Sequence, residues 1–295
     1  MGAQADLMGM RQWGILLVAM SFEQHERHTG VPAEVLRAFG VSANPVLLEG
    51  GQGDAYRAGD KVLKRIEDPV EAAWSAETLN GVGAVGFRVP RSFRTQTGEW
   101  VKDGWTATTF VSGRHEKGRW EEKLLACDAF HEALKDVERP AFLATRNNPW
   151  SIADRVVWGE QEVVHTERLE EQLRLLREKL VPLELPSQVV HGDFTGNVLF
   201  DDELEPAVID FSPYWRPSDF AKAIVVVDAL VWEGADESVL ELVQEVPQMN
   251  QLLLRAEMRR LIEIEECIKR FGKGTLDDID AHKATVELLC NRSGL

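Results

Sequence analysis

Hydrophobic residues recur along this chain with two different periods. Between Pro45 and Gly113 they fall in short runs broken by glycine-bearing turns, the spacing of strands. PVLLEGGQGDAYRAGDKVLKRI, Pro45–Ile66, reads as strand, glycine turn, strand, tight turn, strand, with Gly59 able to supply the positive φ of the AGDK turn. Phe87–Gly113 adds strands with turns at TGE and KDG. Two helices belong to this part. Pro32–Gly40 has proline in its first turn and glycine past its end; Asp68–Gly83 opens on a capping Asp with Pro and closes at glycine. Beyond Gly113 apolar positions lie three and four apart, as at Leu124, Cys127, Leu134 and Val137. Further helices are predicted over Glu167–Leu180, Asp219–Trp232, Glu237–Val246, Asn250–Phe271 and Asp277–Cys290. A small β element is embedded near 189–211. The expected fold class is α+β, strand-rich first and helix-rich afterwards.

A chain of 295 residues suits one large domain or two lobes. Its 33 basic residues face 49 acidic ones, a formal net charge of -16. Such a surface repels phosphates and excludes nonspecific nucleic-acid binding. The acidity serves solubility, and it also suits a cationic small-molecule substrate. Cys127, Cys267 and Cys290 sit in helix-like segments without CxxC spacing, as buried thiols of a reducing, cytoplasmic compartment would. No apolar run reaches the ~18 residues of a membrane helix, so no membrane partner is expected. WGILLVAM, Trp13–Met20, has the look of a short signal core, but residues 1–25 are expected to form a poorly ordered extension, with Met8, Met10 and Met20 as later starts. Oligomeric state is left open.

The glycines differ in what they can do. Gly81, Gly83 and Gly86 spell GxGxxG, but they follow a helix and precede the extended FRVP, so they read as a helix-terminating loop. Gly50, Gly51 and Gly53 lie between two strand runs, where backbone N–H groups can cradle a phosphate. Lys64 on the following strand could reach the same phosphates, and Glu77 on the next helix could hold that lysine as an ion pair.

The densest chemistry is in VVHGDFTGNVLFDDELEPAVIDFSPYW, Val189–Trp215. A strand runs into a polar loop bearing Asp193; VLF and AVIDF then read as antiparallel strands joined by DDELEP, which brings Asn197 near Asp210. A loop Asp to accept a hydroxyl proton, with an Asn and a second Asp to hold Mg²⁺ against nucleotide phosphates, suits phosphoryl transfer. Acidic runs at Glu263, Glu265 and Glu266 and at Asp277, Asp278 and Asp280 read as solvated helix faces rather than a cation site.

From about Pro32 to its C-terminus the chain resembles the aminoglycoside phosphotransferase and choline kinase-like group, small-molecule relatives of protein kinases, and within it an actinobacterial subgroup. His191, Gly192, Asp193, Asn197, Asp210 and Phe211 carry the likeness; the glycine loop, Lys64, Glu77 and TTFVSG (Thr108–Gly113) add to it. The resemblance implies a two-lobed protein-kinase-like fold, with a nucleotide-binding N-lobe over 26–110 and a C-lobe over 111–295 holding the catalytic loop, metal site and substrate pocket. It implies ATP and Mg²⁺ as cofactors, Asp193 as catalytic base, Asn197 and Asp210 as metal ligands, and Thr109 and Val111 at a hinge that receives adenine. It implies a packing role for His191 and an anchoring one for Asp219. One departure is visible: Asn197 follows Asp193 by four positions, where the family has five. The expected function is phosphorylation of a small-molecule hydroxyl; the alternative is a nucleotide-binding pseudokinase with a regulatory role, and pyrophosphate release would mark nucleotidyl transfer instead.

Overall fold

The computed structural model of the protein describes residues 30–48, 55–272 and 274–292. The expected extension over 1–25, and Gly50, Gly51 and Gly53, lie outside the described residues. The strand periodicity becomes a four-stranded antiparallel sheet ordered β1 (Val46–Leu47), β2 (Ala55–Ala58), β3 (Lys61–Arg65) and β4 (Trp105–Thr109). Gly59 turns β2 into β3 at φ +69°. Alternation sends Ala58, Leu63, Trp105 and Ala107 to one face, where they bury Val35 of helix α1 (Ala33–Ala38) and Phe39 just beyond it. Between Phe87 and Gly113 the turns form as predicted, but β4 is the single full strand of that stretch. Arg88, Ser92 and Lys102 make isolated bridges only.

Helix α2 (Pro69–Gly81) begins where the Asp68 carboxylate accepts the N–H groups of Val70 at 2.8 Å and Glu71 at 3.2 Å. It stops in the GxGxxG segment, with Gly86 at φ +78°. The remainder is helical: α3 (Trp120–Leu134), α4 (Pro149–Val157), α5 (Glu167–Arg177), α6 (Asp219–Asp228), α7 (Met249–Phe271), α8 (Leu276–Asp280) and α9 (Lys283–Arg292). Apolar periodicity alone does not reveal helix α4. Its signal is the NPWS capping box, in which Asn148 Oδ1 accepts the Ser151 N–H at 2.9 Å and Ser151 Oγ accepts the Asn148 N–H at 3.1 Å. The helix expected over Asp277–Cys290 is broken into α8 and α9 at His282, which is buried against Glu257 at 2.8 Å. Glu237–Val243 is a 3₁₀ rather than an α-helix. Helix α7 runs through the helical part and packs on α4, α5, α6 and α9.

Two small ladders carry the polar loop. Strand β5 (Gln188–His191) pairs with β8 (Pro213–Arg216), a strand not expected from the sequence. Strands β6 (Val198–Leu199) and β7 (Ala207–Val208) form the predicted hairpin across DDELEP. The chain leading to and from β4 straps this hairpin on both edges. Arg88 bonds Pro206 and Val208, and Arg114 exchanges two backbone bonds with Phe200. The β-sheet part is thereby tied to the segment bearing Asn197 and Asp210.

Gly192 closes β5 where the chain passes Tyr214 of β8. A Cβ there would sit 2.2 Å from the Tyr214 ring. Gly192→Ala is expected to cost about 1–3 kcal/mol through overpacking, read as a lower urea midpoint at unchanged slope.

Candidate active site

The loop after β5 is held by two buried histidines. His131 on α3 donates from Nδ1 to the Cys127 carbonyl at 2.7 Å and accepts the His191 N–H on Nε2 at 3.0 Å. His191 in turn accepts the Asp193 N–H on Nδ1 at 3.2 Å and donates from Nε2 to the Ile209 carbonyl at 3.2 Å. These partners assign both tautomers, and both rings are neutral. Burial pushes His131 down to about 3 and His191 down to about 4. One imidazole thus links the loop bearing Asp193 to the residue before Asp210. Aromatic packing supports it: Phe130 lies within 5.4–6.1 Å of Phe87, His131, His191, Phe194 and Phe211.

Asp193 is nearly buried, with 11% of its side chain exposed. Its Oδ1 accepts from Arg260 Nη2 at 3.0 Å, and its Oδ2 receives the Asn197 amide at 3.2 Å. Burial raises the carboxyl above its ordinary pKa, and the Arg260 guanidinium pulls against that rise. Asn197 also donates Nδ2 to the Asp193 carbonyl at 2.6 Å. The shortened loop therefore still folds Asn197 back onto Asp193, across a 3₁₀ turn at Thr195–Asn197. The Asn197 carbonyl accepts the Ile209 N–H at 2.9 Å, which seats Asp210 beside it.

Asp210 takes φ +48°, a left-handed conformation that turns its side chain back across the hairpin. Its carboxylate accepts Lys64 Nζ at 2.7 Å, with side chains 36% and 29% exposed. The cleft wall works to raise the Asp210 pKa, but the Lys64 ammonium holds it below the ordinary value. The next residue, Phe211, stacks on Trp74 of α2 at 6.2 Å.

Glu77 does not hold Lys64. It accepts from Arg94 at 2.8 Å and from Trp100 Nε1 at 3.0 Å on the outer face of α2, with 67% of its side chain exposed. The reason is helical phase. Glu71 and Trp74 occupy the face turned toward the helical part, and six residues of helix place Glu77 about 120° around the helix from Glu71. Glu71 instead bonds Arg146 at 2.9 Å, and Arg146 also donates to the Pro213 carbonyl at 2.9 Å. Burial raises Glu71, and Arg146 partly offsets it. Sequence reasoning missed this pair.

At the expected hinge, Thr109 spends its donor and hydroxyl on Arg91: the N–H goes to Arg91 O at 2.8 Å, and Oγ1 accepts the Arg91 N–H at 2.9 Å. Val111 makes no backbone hydrogen bond among the described residues. Gly113 is pressed onto the hairpin, where a Cβ would meet Leu199 Cβ at 2.9 Å. The acidic runs are not solvated faces throughout. Glu263 and Glu265 are buried. Glu263 bonds Arg259 and Arg260, and Glu265 bonds His165, Thr166 and Lys269. Burial opposes ionisation of Glu265, yet these bonds hold it down to about 2. Asp277 and Asp280 bond Arg168, and Asp278 caps Thr275. Protein cations and caps thus occupy these carboxylates.

Among the described residues no three His, Cys, Asp or Glu side chains form a metal cage. Mg²⁺ does not require one, since it takes one or two protein oxygens and fills its shell with phosphate and water. The open Asp210 carboxylate with the neighbouring Asn197 amide fits that demand. Nor, among the described residues, is any helix long and apolar enough to cross a membrane.

An antiparallel sheet joined to a helical part, with Lys64, Asp193, Asn197 and Asp210 between them, defines a two-lobed protein-kinase-like fold of the α+β class. Residues 41–229 match the phosphotransferase enzyme family, and the chain belongs to that family. A spectinomycin phosphotransferase in complex with ADP and spectinomycin is similar in structure at 14% identity and TM-score 0.56, over 88% of this chain and 97% of that one. A choline/ethanolamine kinase family protein from Mesorhizobium loti is similar at 16% identity and TM-score 0.55, over 85% and 89%. A choline kinase from Streptococcus pneumoniae is similar at 10% and 0.56, over 88% and 97%. No curated protein matches the chain.

Proposed function

We propose that the protein is an ATP- and Mg²⁺-dependent kinase that phosphorylates a hydroxyl of a small molecule. The convergence of Lys64, Asp193, Asn197 and Asp210 from separate segments supports this function. The acceptor hydroxyl gives its proton to Asp193 at Oδ2, the oxygen that Arg260 does not hold. Its oxygen bonds the γ-phosphorus as the bond to the bridging oxygen breaks, and ADP leaves. Lys64 neutralises phosphate charge. Asp210 and Asn197 would hold Mg²⁺, which supplies further neutralisation when bound. Gly50, Gly51 and Gly53 would cradle phosphates, and the uncommitted backbone of Val111 would meet the adenine edge. Positioning and charge supply most of the acceleration in such chemistry.

The test is ADP release from ATP with Mg²⁺ across aminoglycosides, choline and ethanolamine, the acceptor classes of the similar structures. Mg²⁺-dependent ADP release with one of them is expected. Tight ATP binding without turnover on any would favour a nucleotide-binding regulator. Lys64→Ala should weaken ATP affinity about tenfold, the worth of one charge-assisted hydrogen bond of ~1.5 kcal/mol. Arg65→Ala, on the opposite face of β3 by strand alternation, is the control. Equal ATP-dependent shifts in melting temperature for the two variants would remove Lys64 from the site.

A further inference from the structure

The side chain that grips the Asp193 carboxylate most closely comes from α7, sixty-seven residues further along the chain. Arg260 is 1% exposed and uses its whole guanidinium. Nε and Nη2 fork onto Asp228 at 2.8 and 2.7 Å, Nη2 also reaches Asp193 at 3.0 Å, and Nη1 takes Glu263 at 2.8 Å. Asp228 passes the hold on, accepting the Thr195 hydroxyl at 2.6 Å. The neighbouring Arg259 donates to the Gly192 carbonyl at 2.7 Å and lies 2.9 Å from Glu263. Residues 192, 193 and 195 are thus all fixed from α7, two of them through Arg260.

We infer that Arg260 is a positioning residue, which locks the carboxylate of Asp193 in one orientation and fixes the far side of the same loop through Asp228 and Thr195. A buried cluster of two arginines and three carboxylates is a poor source of stability, because apolar side chains of equal volume do as well or better. What it supplies is direction. The guanidinium is a rigid planar fork, so a carboxylate bound to it cannot rotate freely. The other hydrogen bond to the Asp193 carboxylate is the longer one from Asn197, at 3.2 Å. With Oδ1 held, Oδ2 is the oxygen presented to a hydroxyl. This role presupposes the phosphotransferase function proposed above.

Arg260→Lys keeps the positive charge but loses the planar fork. In the full-length protein with ATP and Mg²⁺, read as ADP release with water as acceptor, kcat is expected to fall about 10²-fold, the effect of roughly 1 Å of misplacement. KM for ATP should stay within about threefold, since nucleotide contacts are untouched. Arg255→Lys is the control. It is also on α7 and 8% exposed, but bonds Gln251 and Val181 away from the loop. It should lose comparable thermal stability with kcat unchanged. Hydrogen exchange gives a readout independent of turnover: in Arg260→Lys the amides of Gly192, Asp193 and Asn197 should exchange faster relative to those of β3 and β4. Should that variant not fold, Thr195→Val removes only the hydroxyl tie to Asp228 and should give the same split at about tenfold. Unchanged exchange in the loop, or an equal fall of kcat in Arg255→Lys, would overturn the role. A loosened loop in a protein whose Asp193→Asn variant turns over normally would keep Arg260 as a positioning residue and reject Asp193 as the base.

Discussion

Asp193→Asn is expected to bind ATP with Mg²⁺ like the native chain and to release ADP more slowly by about 10²-fold or more, the usual worth of a general base. The substitution preserves shape. An amide oxygen can still accept from Arg260, and only the 3.2 Å hydrogen bond from Asn197 is given up. On the proposed mechanism, the change at the reacting centre is removal of the proton acceptor. Asp210→Asn should fail differently. It would take a carboxylate from the proposed Mg²⁺ site and set a neutral amide against Lys64 in place of its 2.7 Å ionic partner, so Mg²⁺-dependent stabilisation by nucleotide should weaken together with turnover. Thermal shifts with ATP, with and without Mg²⁺, separate the two. Equal defects in nucleotide binding, relieved equally by added Mg²⁺, would overturn the division of labour between the aspartates.

Both aspartates were legible because the information that places them is local. Val198 and Ala207 lie on strands joined by one turn, so alternation and the DDELEP turn suffice to bring Asn197 and Asp210 together. Gly192 and His191 were legible as a motif, though not the close pass of Tyr214 over Gly192 or the bonds from the His191 ring to the Asp193 N–H and the Ile209 carbonyl. Three things were not legible. Glu71 and Glu77 stand on the same helix, and only the position of Arg94, Trp100 and Arg146 in space decides which one faces inward. Strand β8 opens on Pro213 and is followed by Pro217, which argue against a strand until β5 is there to pair with it. The charged run of α7 looks solvated because most such runs are. Its Arg259, Arg260, Glu263 and Glu265 are buried because, beside neighbours within α7, they find partners on α6, in the loop after β5 and before α5, and those sequence-distant pairings lie beyond any window.

Acid should loosen this site through its two buried histidines. His131 accepts a backbone N–H on Nε2, and His191 accepts one on Nδ1. Protonating either ring would set donor against donor in a buried place. Their folded values, about 3 and about 4, lie far below the ordinary 6.5. Between pH 6.5 and about 4 the unfolded chain therefore takes up protons at these two positions that the folded chain refuses, and burial holds His115 low in the same direction. Folding stability is full above pH 6.5 and falls as pH drops through that window, by up to about 1.4 kcal/mol per pH unit for each histidine. Carboxylates with depressed values, such as Glu265 at about 2, release their share only at lower pH. Urea midpoints should thus decline from pH 7 to 6 to 5. His191→Asn, which keeps one donor and one acceptor but does not titrate, should start less stable and decline less steeply. A flat profile for the native chain from pH 7 to 5 would refute neutral burial of the pair. Loss of turnover should track the decline, because the same imidazole that refuses the proton ties the Asp193 loop to the strand leading into Asp210.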